Sequence, residues 1–182
     1  MSDIDSVERN DVGNISPQFN ATDADVILRA SDGMLFRVYR RDLEAFSEGF
    51  AGPAAAHDAC PTNPADDIVQ LTESSAVLEI LLQFMRRQRH PSLKDLDGKT
   101  MAGVAEAVEK YQVFSALEAC KTQMQEFVRS NPVDVLVYAL RHDYEDLANL
   151  SVEYTLGLPL QRVYPRLPES YRLQWVSESD HY

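Results

Sequence analysis

The segment from Asp25 to Tyr39, DVILRASDGMLFRVY, constrains what this chain can fold into more than any other. Two apolar-rich runs flank Asp32-Gly33, a dipeptide that reverses an extended chain because glycine accepts a positive φ. A two-residue loop would set Arg29 against Phe36 and Leu28 against Arg37, mixing charge into the buried face. A three-residue loop, Ser31-Asp32-Gly33, pairs Val26 with Val38, Leu28 with Phe36 and Ala30 with Met34. That face is wholly apolar, while Ile27, Arg29, Leu35 and Arg37 share the other. The second register wins, because a one-residue slip would bury the charges. The sequence thus predicts strands at 25–30 and 34–39, with Gly33 in the left-handed position of a bulged turn.

Around this hairpin the chain changes character. Residues 1–22 are rich in Ser, Asp and Asn, show no sustained period, and read as a flexible acidic arm. After the hairpin, Leu43, Phe46 and Phe50 are spaced for one face of a short helix. Residues 51–67 form a long irregular loop, since Pro53, Pro61 and Pro64 bar a helix through most of it. Ile68 to Leu71 reads as a third strand. A helix is expected from Ser75 to about Arg87, with Val77, Leu78, Leu81, Leu82 and Met85 making a broad buried stripe.

Everything beyond is helical. Thr100 to Tyr111 places Met101, Val104, Ala105 and Val108 on one side. Ser115 and Glu118 have capping-box spacing for a helix striped by Leu117, Cys120, Met124 and Phe127. Asn131-Pro132 marks a restart, followed by a helix near Glu145 to Leu156 that Gly157 and Pro159 stop. Pro168 to Val176 suits a final short helix. The expected class is α+β: a short three-stranded sheet with its hairpin packed on a helical cluster, spanning 23–130, then a helical extension with a short tail at 131–182.

The charge sum narrows the function classes. The 182 residues hold 17 Lys+Arg and 29 Asp+Glu, a net of −12. The acidity is concentrated in residues 1–67, which carry −8 of it. Direct nucleic-acid binding needs clustered cations and is not expected. Two cysteines, Cys60 and Cys120, give no disulfide framework, and no apolar run approaches a membrane span. The expectation is an intracellular protein, cytoplasmic or nuclear, that does not engage membranes. Neither a Gly-x-Ser-x-Gly turn nor a glycine-rich phosphate loop occurs, so no enzyme activity and no cofactor are expected. His57, Asp58 and Cys60 offer metal-type ligands, but a structural zinc site needs a second pair, and none is present. Arg86-Arg87-Gln88-Arg89-His90 is a basic cluster at a helix end, where cations meet the negative pole of the dipole.

The order of hairpin, helix, long loop, strand and helical train resembles a BTB/POZ domain. The residues that carry the resemblance are DVILRASDGMLFRVYRRDLEAFS at 25–47. Asp25, Val26, Leu28, Phe36, Val38, Leu43 and Ser47 fit the family pattern, and Tyr39 stands where the family usually has His. IVQLTESSAVLEILLQFM at 68–85 and AVEKYQVFSALEAC at 107–120 resemble its later strand and helices. The stretch 131–160 resembles the helical extension of BTB proteins expanded in mushroom-forming fungi.

That resemblance implies a non-catalytic protein–protein interaction module that self-associates as a homodimer. It places the interface near the first strand and short helix, with Val26, Ile27, Leu43, Phe46 and Phe50 as candidates. Two other roles follow from the same family. A cullin-type ubiquitin ligase adaptor would need a hydrophobic-x-Glu element, absent from RRQRHPSL at 86–93. A transcriptional regulator would act only through a partner, since no DNA-reading module is visible.

Overall fold

In the computed structural model the described residues are 14–50 and 68–179. The loop at 51–67, with its three prolines and the His57-Asp58-Cys60 group, lies outside them, as do residues 1–13 and 180–182. The strands are β1 (Ile15–Asn20), β2 (Val26–Arg29), β3 (Leu35–Val38) and β4 (Ile68–Gln70). The helices are α1 (Arg40–Phe46), α2 (Ser75–Phe84), α3 (Gly98–Lys110), α4 (Phe114–Phe127), α5 (Pro132–Arg141), α6 (Glu145–Thr155), α7 (Leu160–Val163) and α8 (Glu169–Ser179). A 3-10 turn at Tyr164–Arg166 follows α7.

The sheet has four strands in the order β1-β3-β2-β4, not three. The hairpin pairs β2 with β3 in the register argued above: Val26 faces Val38 and Leu28 faces Phe36. Ala30 N–H donates to Met34 O at 2.9 Å, closing the three-residue loop, and Gly33 sits at φ 86°. Phe36 is fully buried and Leu28 nearly so. One detail differs: Leu35, assigned to the mixed outer face, is buried as well.

The additional strand is the main correction. Residues 15–20, expected within a flexible arm, run parallel to β3 as the sheet edge. Pro17 hides this strand from a periodicity reading, yet an edge position tolerates proline because one side of the strand has no ladder to feed. Phe19 anchors it. That ring is 1% exposed and meets Phe36 at a centroid distance of 5.8 Å. The Arg86 guanidinium lies 4.1 Å from the Phe19 ring centroid and donates to Gln18 O at 3.2 Å.

The chain divides into two compact units. The first contains the described residues up to Pro91 together with Lys110–Ser115; the second contains Ser92–Glu109 and everything from Ala116 onward. In the first, Phe19, Val38, Leu43, Leu82 and Met85 converge around a gap of about 10 Å³, so sheet, α1 and α2 share one core. Two aspartates tie its loops. Asp25 accepts the Arg40 N–H at 2.7 Å, serving the first turn of α1. Asp32 accepts both N–H and hydroxyl of Ser75, at 3.0 and 2.7 Å, at the start of α2. The Ser75 hydroxyl is the main reason the Asp32 carboxyl lies below its usual range.

Helix ends moved by a few residues from expectation. α2 stops at Phe84, so the basic cluster follows the helix instead of closing it. α4 begins at Phe114, and Ser115 does not cap it; its hydroxyl donates to Phe84 O at 3.4 Å. Asn131 does occupy the N-cap of α5 with Pro132 at the first turn, but makes no side-chain capping bond.

In the second unit α5 and α6 pack on one another and are joined by His142, Asp143 and Tyr144. The α5 end closes with Tyr144 N–H donating to Ala139 O at 2.9 Å, and Asp143 adopts φ 56°. This is a Schellman-type stop with aspartate where glycine is usual. Trp175 on α8 is 4% exposed and donates its indole N–H to Thr155 Oγ1 at 3.0 Å.

Candidate functional site

Of the five residues expected at an interface, two are spent inside the first unit. Val26 and Leu43 are 7% and 5% exposed, leaving almost no side-chain area for another chain. Ile27 is half-buried, paired with Arg37 on one side and Ile68 on the other. Phe50 is half-buried too, but its ring stacks on Tyr111 at 4.4 Å with an interplanar angle of 11°. Phe46, half-buried, lines an open groove.

That groove lies between the end of α1 and the start of α4, both in the first unit. Its volume is about 360 Å³, and Glu44, Phe46, Glu48, Phe114 and Ser115 contribute to its walls. Phe114 is 58% exposed, an unusual state for a phenylalanine in a folded domain. Sequence reasoning missed it because position 114 falls at a helix start, outside any apolar stripe. The short apolar run Val113-Phe114 was the only available signal.

A compact lock holds the groove's wall in place. Ser47 Oγ donates to Tyr111 O and accepts the Phe50 N–H, while Gly49 N–H donates to Tyr111 O at 3.0 Å. The Tyr111 hydroxyl donates to Glu73 Oε2 at 2.8 Å, and Lys110 Nζ reaches Glu73 Oε1 at 2.7 Å. Burial pushes the Tyr111 phenol up to about 12. For Glu73, burial acts to raise the pKa, but the bonds from Lys110 and Tyr111 outweigh it and hold the carboxyl below its ordinary range. The backbone passes so close that a Cβ on Gly49 would lie 2.6 Å from Tyr111 Cα. Gly49→Ala is therefore expected to cost about 1–3 kcal/mol through overpacking. Thermal unfolding measures this, and an unchanged midpoint would mean that the Ser47–Phe50 turn is not seated on Tyr111.

The second unit carries a different constellation. Glu109 Oε1 accepts two phenol hydroxyls, from Tyr138 at 2.9 Å and Tyr144 at 2.6 Å. Burial first, and the Glu109 charge second, raise the Tyr138 pKa; burial likewise takes Tyr144 to about 12. Glu106 pairs with Arg141 at 2.9 Å and with His142 at 3.1 Å. The two phenol hydrogen bonds to Glu109 hold Tyr138 and Tyr144 in position. Cys120, also in this unit, is fully buried, and burial pushes its thiol up to about 12. A thiol held protonated is a poor nucleophile.

Beside this cluster runs a groove of about 530 Å³, formed by α5, α6 and α8. Leu136, Leu140, Val152 and Trp175 provide apolar walls, with Asp143 and Glu145 also lining it. Among the described residues no group of three His, Cys, Asp or Glu could hold a metal ion. No helix among them is long and apolar enough to cross a membrane.

These features define an α+β protein with a small mixed sheet, eight helices among the described residues, and open grooves lined by apolar and acidic groups. No protein-family model matches the chain, and no curated protein matches it by sequence.

Proposed function

We propose that this chain is a non-catalytic protein–protein interaction module of BTB/POZ type, acting inside the cell, that self-associates as a homodimer through the Phe46–Phe114 groove. The motif order at 25–47 supports the family reading, and the single observation that carries the interface is the exposed Phe114 ring standing beside an open groove. A two-fold contact uses one patch on both chains. A protruding aromatic ring next to a cavity meets that requirement, because each copy can fill the other's groove. Full burial of one such side chain is worth about 1.5–3 kcal/mol, and the contact has two.

Glu44 and Glu48 line the same groove, with no Lys or Arg among the described residues of its walls. Bringing two copies together sets like charges near one another at the rim, where salt screens them. The dimer is therefore expected to tighten as ionic strength rises. Light scattering with sedimentation across protein concentration tests both points. The wild type should dimerise more readily in high salt, and Phe114→Asp should be monomeric with an unchanged circular dichroism spectrum. A wild type that stays strictly monomeric at high concentration would remove self-association from the reading.

A further inference from the structure

The groove of the second unit has walls of two kinds. Leu136, Leu140, Val152 and Trp175 form the apolar part, while Asp143 and Glu145 bring two carboxylates to the α5–α6 corner. Among the described residues no lysine or arginine lines it. Its volume, about 530 Å³, is in the range that receives several side chains of a ligand.

The carboxylate corner is held in position. Tyr144 sits between the two acids, and its hydroxyl is fixed on Glu109 at 2.6 Å while the Lys121 ammonium lies 4.6 Å from its ring centroid. Asp143 stands at φ 56°, where glycine would be the least strained choice. The exposed Asp143 carboxylate is thus carried at the groove edge by a fixed turn. Apolar walls with one-signed charge at one end match a ligand with an apolar stripe and cationic flank.

We propose that this groove docks a cationic amphipathic helix of a partner protein, its aliphatic side chains against the partly exposed Leu140, Val152 and Tyr171 and its Lys or Arg side chains at Asp143 and Glu145. The inference is independent of self-association through the Phe46–Phe114 groove, since the two sites share no residue.

The chain contains a single tryptophan, Trp175, and it lines this groove, so its emission reports binding directly. The probe is a tryptophan-free peptide of Leu, Ala and Lys patterned as an amphipathic helix, with a twin in which Glu replaces Lys, titrated into the full chain. The Lys peptide should shift Trp175 emission saturably, and the Glu twin should not. Asp143→Asn with Glu145→Gln should weaken the Lys peptide about tenfold, as the loss of two charge contacts implies. Asp95→Asn with Glu126→Gln removes the same charge at exposed positions elsewhere and should leave affinity unchanged. Leu140→Asp should abolish binding. Because that change can also cost stability, Asn149→Arg, an exposed groove position, provides a second block by adding a cation.

Several results would overturn the proposal. One is the absence of a saturable shift. Another is equal binding of the Glu twin, and a third is equal weakening by the distant pair, which would reduce the effect to attraction by net charge. Loss of the dimer in Asn149→Arg would assign the groove to a second copy of the chain instead.

Discussion

Phe19→Ala is expected to lower stability by about 3–5 kcal/mol, the cost of emptying a phenylalanine site in a packed core. The ring is 1% exposed, contacts both Phe36 and the Arg86 guanidinium, and lines the contact of sheet with α1 and α2. Gln18→Ala is the matched control. Its side chain is exposed and only its backbone carbonyl is used, so the change should stay within about 0.5 kcal/mol. Urea unfolding followed by circular dichroism separates the two. The experiment decides between two accounts of the N-terminus. If residues 15–20 were an unstructured arm, both substitutions would be silent. If they form β1, Phe19 dominates.

The second large effect concerns Glu109. Glu109→Leu strips the acceptor from two phenols at once, and Tyr138 is 1% exposed, so its hydroxyl has little water to turn to. A buried donor left without a partner costs about 1–3 kcal/mol. Adding the exposed-side loss at Tyr144, the expected total is about 2–4 kcal/mol. Tyr138→Phe removes the donor together with its need and should cost less, about 1 kcal/mol. In the double variant the Tyr138 hydroxyl is no longer orphaned, so the two changes should be clearly non-additive. Additive losses would show that the carboxylate and phenol do not depend on each other. Phenol titration gives a further readout. Burial first, and the Glu109 carboxylate second, push the Tyr144 phenol up to about 12, so its pKa should fall toward the ordinary phenol value in Glu109→Leu while the part due to burial remains.

The hairpin was legible because local chemistry overdetermines it. Asp32-Gly33 selects the turn, and charge on Arg29 and Arg37 excludes the alternative register. The helices of the second half were legible from their stripes, with errors of a few residues where capping chemistry went elsewhere. Ser115 looked like a cap but bonds to Phe84 O, a residue far away in sequence. Of the interface candidates, sequence could identify apolar positions but not which of them the core consumes. Val26 and Leu43 are consumed, Phe50 is stacked on Tyr111, and Phe46 keeps a surface. Phe114 and the groove of the second unit were invisible, because exposure is a property of what fails to pack against a side chain.

The sequence by itself therefore determined the elements whose hydrogen bonds and apolar faces close locally: the β2–β3 hairpin in its register and the succession of helices. Tertiary structure alone decided the pairings between distant segments. β1 exists only because β3 offers it an open edge and Phe36 offers Phe19 a neighbour. Its own residues, interrupted by Pro17, hold no period that would mark them as a strand. A strand has no internal hydrogen bonds, unlike a helix, so its stability resides in its partner and cannot be read from the strand's own text.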